Sequence, residues 1–210
     1  MTRGIVAVLA LSAVAVPASA APVITFNGGQ GGTAAGTTVF QDFDSLSSGT
    51  SIGTNAFAYD SSRSTASRPG FGSTGNFGAV LGGGSYSASF AASSLFSFVI
   101  GSLDTYNSLK LTFDDGSSSL YTGGAIIGGL PFSSGSTGSS TSNGLVTFNT
   151  GSGPRIVGAT FTSTGNSFEF DNLASNGVPE PATWALMILG FGAVGGALRR
   201  RNARPALATA

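Results

Sequence analysis

The sequence predicts an all-β fold, an antiparallel β-sandwich of jelly-roll type, and three observations carry that expectation. Between about residue 21 and residue 175 no stretch shows the period of an amphipathic helix. Short runs alternate apolar and polar residues, and turns rich in Gly and Ser separate them. Many short strands with one wet face are stabilised by stacking their apolar faces in layers.

In chain order the expected strands are Val39 to Phe43, Tyr86 to Phe90, Leu95 to Ile100 and Ser108 to Phe113. Leu120 to Thr122, Leu145 to Phe148, Ile156 to Thr162 and Ser167 to Leu173 follow. In Ser108 to Phe113, Leu109, Leu111 and Phe113 share one face while Lys110 and Thr112 share the other, because successive side chains of a strand alternate. Phe168 and Phe170 alternate with Glu169 in the same way, which puts Glu169 on the wet face. Asp114-Asp115-Gly116-Ser117 is a hairpin turn between two of these runs. The stretch from Ser133 to Asn143, almost wholly Ser, Thr and Gly, is expected to be a mobile loop.

Composition narrows the function. Charged residues are 9% of the chain, against about a quarter in ordinary domains, yet there are 16 phenylalanines, so this is not the composition of disorder. Between Ala21 and Val178 the cations are Arg63, Arg68, Lys110 and Arg155. The anions there are Asp42, Asp44, Asp60, Asp104, Asp114, Asp115, Glu169 and Asp171. A mildly acidic body without a basic patch has nothing to neutralise phosphates, which excludes nucleic acid as a partner. Cysteine is absent, so no disulfide staples the fold even in an oxidising compartment.

The two ends read differently from the body. Arg3, the apolar run Ile5 to Val16 and the small-x-small site Ala18-Ser19-Ala20 make residues 1–20 a signal peptide, with the mature chain beginning near Ala21. The alternative is a buried N-terminal helix. Near the other end, Ala182 to Leu198 carries no charge. At about 1.5 Å per residue it would reach about 25 Å as a helix, enough for a short transmembrane helix. Trp184 stands where an interfacial aromatic belongs, and Arg199, Arg200 and Arg201 form a stop-transfer cluster. Gly190, Gly192, Gly195 and Gly196 are tolerated in a lipid-embedded helix better than in water. The alternative here is a core helix packed on the domain. The organisation expected is thus a signal peptide (1–20), a β-sandwich ectodomain (21–175) and a C-terminal region (176–204). That region divides into a motif at 179–185, a helix at 182–198 and an arginine cluster at 199–204.

Val178-Pro179-Glu180-Pro181-Ala182-Thr183-Trp184-Ala185, then the apolar span, then the arginines, resembles the PEP-CTERM sorting signal in its PEPxxWA form. The resemblance implies an exosortase-type membrane protease as partner, with Pro179, Glu180, Pro181, Trp184 and Ala185 as the sorting motif. It implies a precursor anchored in the inner membrane and then delivered to the cell surface or extracellular matrix of a Gram-negative bacterium that makes exopolysaccharide. Two prolines suit a protease motif, because they keep the chain extended and free of helix. More loosely, the body resembles the ectodomain of many PEP-CTERM surface proteins. The matching residues are Phe96-Ser97-Phe98 with Gly101-Ser102-Leu103-Asp104-Thr105-Tyr106-Asn107, and Phe161-Thr162-Ser163 with Phe168-Glu169-Phe170-Asp171-Asn172.

Histidine is absent as well, which removes the usual base near neutral pH, the Ser-His-Asp and Cys-His arrangements and nearly all zinc sites. A Ser-Lys pair would have to use Lys110, the one lysine, and no motif pairs Glu169 with an aspartate as a glycosidase would need. The expectation is a protein that is not an enzyme and needs no cofactor. Calcium is the metal that hard oxygen ligands suit: Asp42, Asp44, Asp171 and Asn172 meet at one ion if the first and last strands lie together. Otherwise Asp42 and Asp44 are solvated and Asp171-Asn172 makes a turn. Asp104, Tyr106 and Asn107 read as a sugar-binding loop, or as a loop in which Asp104 and Asn107 tie their own backbone over a packed Tyr106. Two functions follow: a non-catalytic surface or matrix protein associated with exopolysaccharide, and a glycan-binding module with a defined site. An ice-binding module would need a sustained Thr-x-Thr ladder, which the sequence lacks.

Overall fold

Alternating sequence becomes strand wherever its apolar face can be buried, and ten strands form among the described residues. The computed structural model describes residues 21–177, 187–195 and 199. The strands are β1 (Val23–Gly28), β2 (Thr38–Gln41), β3 (Ser51–Tyr59), β4 (Phe77–Ser93) and β5 (Leu95–Gly101). They continue as β6 (Asn107–Phe113), β7 (Ser118–Thr122), β8 (Gly144–Asn149), β9 (Ile156–Ser163) and β10 (Phe168–Ser175), with a 3-10 turn over Gly123–Ile127.

All pairings are antiparallel, and the strands join in one ten-stranded sheet of order β1-β8-β5-β10-β4-β9-β6-β7. β2 pairs with β10 and β3 with β4 off that path. The all-β antiparallel expectation therefore holds. In place of two separate stacked sheets there is one continuous sheet curled around a main core, with a smaller cluster of Tyr59, Ala66, Phe77 and Ala79 beside it.

The curl is made by β4. Its first residues, Gly78 to Val80, pair with β10, whereas Gly84 to Ser89 pair with β9. Between these ladders lies Gly82-Gly83-Gly84, and Gly83 has φ +75°, a conformation that side-chain-bearing residues avoid. A Cβ on Gly84 would stand 2.6 Å from the Asn55 carbonyl oxygen, so the close approach of β3 also requires glycine there. The sequence expectation caught only the end of this strand, because four glycines in Phe77–Ser93 read as loop. It missed β1 and β3 altogether.

The core is phenylalanine stacked on phenylalanine. Phe43, Phe96, Phe98, Phe148, Phe161, Phe168 and Phe170 are all fully buried. Phe161 lies at the centre, stacked on Phe170 with ring centroids 4.1 Å apart and edge-on to Phe98 at 5.1 Å and Phe168 at 5.3 Å. Leu109 and Leu111 point inward beside them and Lys110 outward, as the alternation requires. The Asp114–Ser117 turn closes β6 on β7, with Gly116 at φ +82° and the Ser117 N–H donating to Asp115 Oδ1 at 2.9 Å.

β10 runs between the two ends of the sheet. At its start Phe168 is opposite Val80 and Glu169 opposite Gly101; at its finish Ser175 is opposite both Phe96 and Thr38. The expected signal peptide, the residues Pro179, Glu180, Pro181, Trp184 and Ala185, and Arg200 and Arg201 lie outside the described residues. Residues 187–195 are helical and exposed, and Arg199 is exposed. Among the described residues no helix is long and apolar enough to cross a membrane.

Phe161→Ala is expected to lower unfolding free energy by about 3–5 kcal/mol, since the ring leaves a void among four aromatic neighbours that cannot all collapse into it. Urea denaturation followed by tyrosine fluorescence measures this. A loss below about 1 kcal/mol would show that the stack is not the core's centre.

Candidate functional site: a polar cleft at one end of the sheet

At the end of the sheet where β10 begins, four segments converge on a cleft of about 160 Å3. They are residues 63–67, Ser102 to Tyr106, Gly135 to Thr137 and Asn166 to Glu169. Glu169 is its anchor. The strand alternation turns this side chain away from the phenylalanine core, and the sequence alone would leave it in water. Instead it is 1% exposed, because the segment carrying Ser67 and Pro69 covers that face; Pro69 packs so close to Gly101 that a Cβ there would stand 2.9 Å from it. The carboxylate accepts hydrogen bonds from the Ser67 N–H at 2.9 Å, from Ser102 Oγ at 2.9 Å and from Ser167 Oγ. Burial pushes Glu169 above the usual carboxylate range, opposed by these donors.

Asp104 is the second carboxylate of the cleft, 6% exposed. It accepts one hydrogen bond, from Ser134 Oγ at 2.7 Å, where a carboxylate has about four acceptor positions. Tyr106 lies beside it, half-exposed, its hydroxyl donating to the Asn166 carbonyl at 2.5 Å. Burial, and then the nearby Asp104 and Glu169 carboxylates, push Tyr106 well above the ordinary phenol range. Gly165 lies against the ring, where a Cβ would come within 3.1 Å of it. Arg63 lines the rim of the cleft and is paired with Asp60 at 3.5 Å.

Of the expected ligand loop, the structure brings Asp104 and Tyr106 to the cleft and takes Asn107 away. Asn107 is fully buried and ties its own loop: Oδ1 accepts the Asp104 N–H at 2.7 Å, and Nδ2 donates to Ser163 Oγ and to the Ser167 carbonyl, each at 3.1 Å. Sequence reasoning missed Glu169 as a cleft residue, and it missed Asn143. That side chain, also fully buried, accepts from the Gly70 and Ser102 N–H groups and donates to the Ser136 and Ser139 carbonyls. The Ser133 to Asn143 stretch, expected to be a mobile loop, is thereby folded as turns around one amide. The only signal was an asparagine ending a run of serines.

The four residues proposed for calcium are partly brought together. β2 does pair with β10, and Asp44 lies close enough to Asp171 to raise its pKa. Asp42, however, accepts the Asp44 N–H at 3.1 Å in an exposed turn, and the Asn172 amide donates to the Gly72 carbonyl at 3.1 Å. Asp171 is fully buried and accepts from Ser73 Oγ and from the Asn172 N–H, both at 2.7 Å. Arg68 donates to the same Ser73 hydroxyl at 3.3 Å, bringing a cation to the place an ion would take. Among the described residues no group of three or more acids is placed to hold a metal ion, so the carboxylates are held by hydroxyl and amide donors.

The architecture is an all-β body followed by a C-terminal segment, whose described helical part leaves Met187, Ile188, Leu189, Phe191 and Val194 exposed. That segment carries a recognisable signal: residues 177–201 match the PEP-CTERM protein-sorting motif. Such a signal implies an exported, membrane-anchored precursor that an exosortase processes and that is sorted to the cell surface. No curated protein and no solved structure matches the chain.

Burial raises Asp171 to about 7 from a usual 3.8, so the folded chain holds a proton there that the unfolded chain has released. Stability should therefore fall as pH rises from about 4 to about 7. Melting temperatures across that range check this: the fall should be flatter in Asp171→Asn, and an identical slope in the variant would refute the assignment to Asp171.

Proposed function

We propose that the chain is a non-catalytic surface protein of a Gram-negative bacterium that associates with exopolysaccharide by holding a sugar unit in the cleft of Asp104, Tyr106 and Glu169. The observation that carries this reading is the chemistry of the cleft wall. Hydroxyls, an amide and two carboxylates line it, with a half-exposed tyrosine ring among them. A buried carboxylate with unfilled acceptor positions discriminates strongly for a ligand hydroxyl, since charge-assisted hydrogen bonds are the strong ones and unmade ones are costly. The volume, about 160 Å3, is below the roughly 300–1,000 Å3 of pockets that enclose a whole small molecule, and suits one unit of a longer chain lying across the opening.

The same geometry favours binding over catalysis. The three groups bonded to Glu169, the Ser67 N–H and the Ser102 and Ser167 hydroxyls, occupy its oxygens and hold it against three different loops. A general acid must instead present its proton to the ligand. The defined cleft also favours a specific glycan site over a passive place in a matrix.

Two experiments test the proposal. Purified ectodomain on a glycan array should show saturable binding, weakened by about tenfold or more in Asp104→Asn and in Tyr106→Ala. Binding that is absent, or untouched by both variants, refutes the cleft as a sugar site. Separately, the mature protein from a strain with its exosortase should be lighter than the protein from a strain without it and should leave the inner-membrane fraction. Equal masses in the two strains contradict processing at the Pro179-Glu180-Pro181 motif.

A further inference from the structure

The cleft and the exit of the chain lie at opposite ends of the same strand. Asn166 to Glu169, at the start of β10, belong to the cleft. At the other end Asn176 is tied to Leu95 in both directions, its N–H donating to the Leu95 carbonyl at 3.3 Å and its Oδ1 accepting the Leu95 N–H at 2.9 Å. Gly177 then lies against the Ala91 carbonyl, so close that a Cβ would stand 2.4 Å from it. The eight residues of β10 separate the two ends by about 25 Å.

Among the described residues of the body, the exposed large apolar side chains other than Leu120 and Leu130 lie around that exit. Phe40 is 40% exposed and Val39 37%, on β2 beside the last residues of β10. The Phe40 ring lies 4.9 Å from that of Phe90, which leads into the Ala91 backbone that Gly177 touches. Val23, 68% exposed, is at the same end, because its partner Asn149 is also the partner of Leu95. An exposed phenylalanine and two exposed valines gathered at one end of the body call for a covering surface.

We infer that the Val23, Val39, Phe40 and Phe90 end of the ectodomain rests on the lipid surface in the membrane-anchored precursor, so that the cleft faces away from the membrane. This rests on the reading of Ala182 to Leu198 as the anchor. From Gly177 to Ala182 there are five peptide steps, which cover at most about 18 Å even when fully extended. A body tethered that closely cannot turn its exit end far from the bilayer. Rings at the headgroup level sit where aromatic side chains are favoured. With the exit end down, the distance along β10 holds the cleft clear of the headgroups and open to the aqueous side.

The chain has no cysteine, so single labels are clean. Full-length protein would be reconstituted in vesicles of phosphatidylcholine and phosphatidylglycerol. It would carry an environment-sensitive fluorophore at Phe40→Cys or, at the cleft, Thr137→Cys, and lipids spin-labelled at the headgroup would serve as quencher. Co-flotation with the vesicles reports the anchor, and quenching reports the orientation. The expected result is co-flotation of both proteins, loss of most of the fluorescence at position 40 and little loss at position 137. Equal quenching at the two positions, quenching at 137 alone, or none at 40 overturns the orientation while leaving the anchor in place. Failure to float removes anchor and orientation together.

Discussion

Burial of β10 on both faces is the constraint from which the rest of the structure follows. One face carries Phe168 and Phe170 into the aromatic core, and the other carries Glu169 and Asp171 under the segment running from Arg63 to Gly75. A charge withdrawn from water is tolerated only with partners. With four cations in the whole body, those partners have to be hydroxyls and backbone N–H groups. Glu169 thus draws in Ser67, Ser102 and Ser167, and Asp171 draws in Ser73 and the Asn172 N–H. Each carboxylate ties down a loop whose apolar contacts are few, Ala66 and Pro69 among them. The cleft is the gap left where the loops organised by Glu169 meet.

What was legible beforehand follows the same division. The faces of β6 and β10 that enter the core announced themselves by alternation, because burial of Leu109, Leu111, Phe168 and Phe170 is a local property of each strand. The Asp114–Ser117 turn was legible for the same reason: a turn's chemistry lies within four residues. The first half of β4 was not, since Gly78, Gly82, Gly83 and Gly84 are present for contacts with distant strands. Gly78 would place a Cβ 2.5 Å from the Phe170 ring, a fact no window around residue 78 contains. Glu169 failed as a wet-face residue because what covers it lies about a hundred positions earlier. Of the ligand loop, Asp104 and Tyr106 reached the cleft, while Asn107 obeyed the commoner rule that a loop amide ties its own backbone.

The curl of the sheet and the polarity of its loops are coupled. Because β4 serves the ladder with β10 and then the ladder with β9, the loops at the β10-start end are drawn around one opening instead of being spread along two sheet edges. Asn143 then locks three of them: its amide joins Gly70, Ser102 and the 136–139 turn through side-chain-to-backbone bonds. Such bonds suit a chain without disulfides, since each fixes backbone from distant positions at one polar atom.

Holding carboxylates with hydroxyls also has a consequence for recognition. An acid paired with arginine presents a sterically filled site, whereas an acid held by a serine hydroxyl keeps some of its acceptor positions. Asp104, with a single serine donor, is the acid in the cleft least satisfied by the protein, whereas Glu169 is the one most satisfied. On the reading proposed above the two would divide the work: Glu169 fixes the geometry of the wall, and Asp104 would offer the contact. A ligand hydroxyl arriving at Asp104 repeats the bond that Ser134 already makes. Polyhydroxylated chains outside the cell are the ligands whose chemistry most resembles that of the protein's own serine-rich loops.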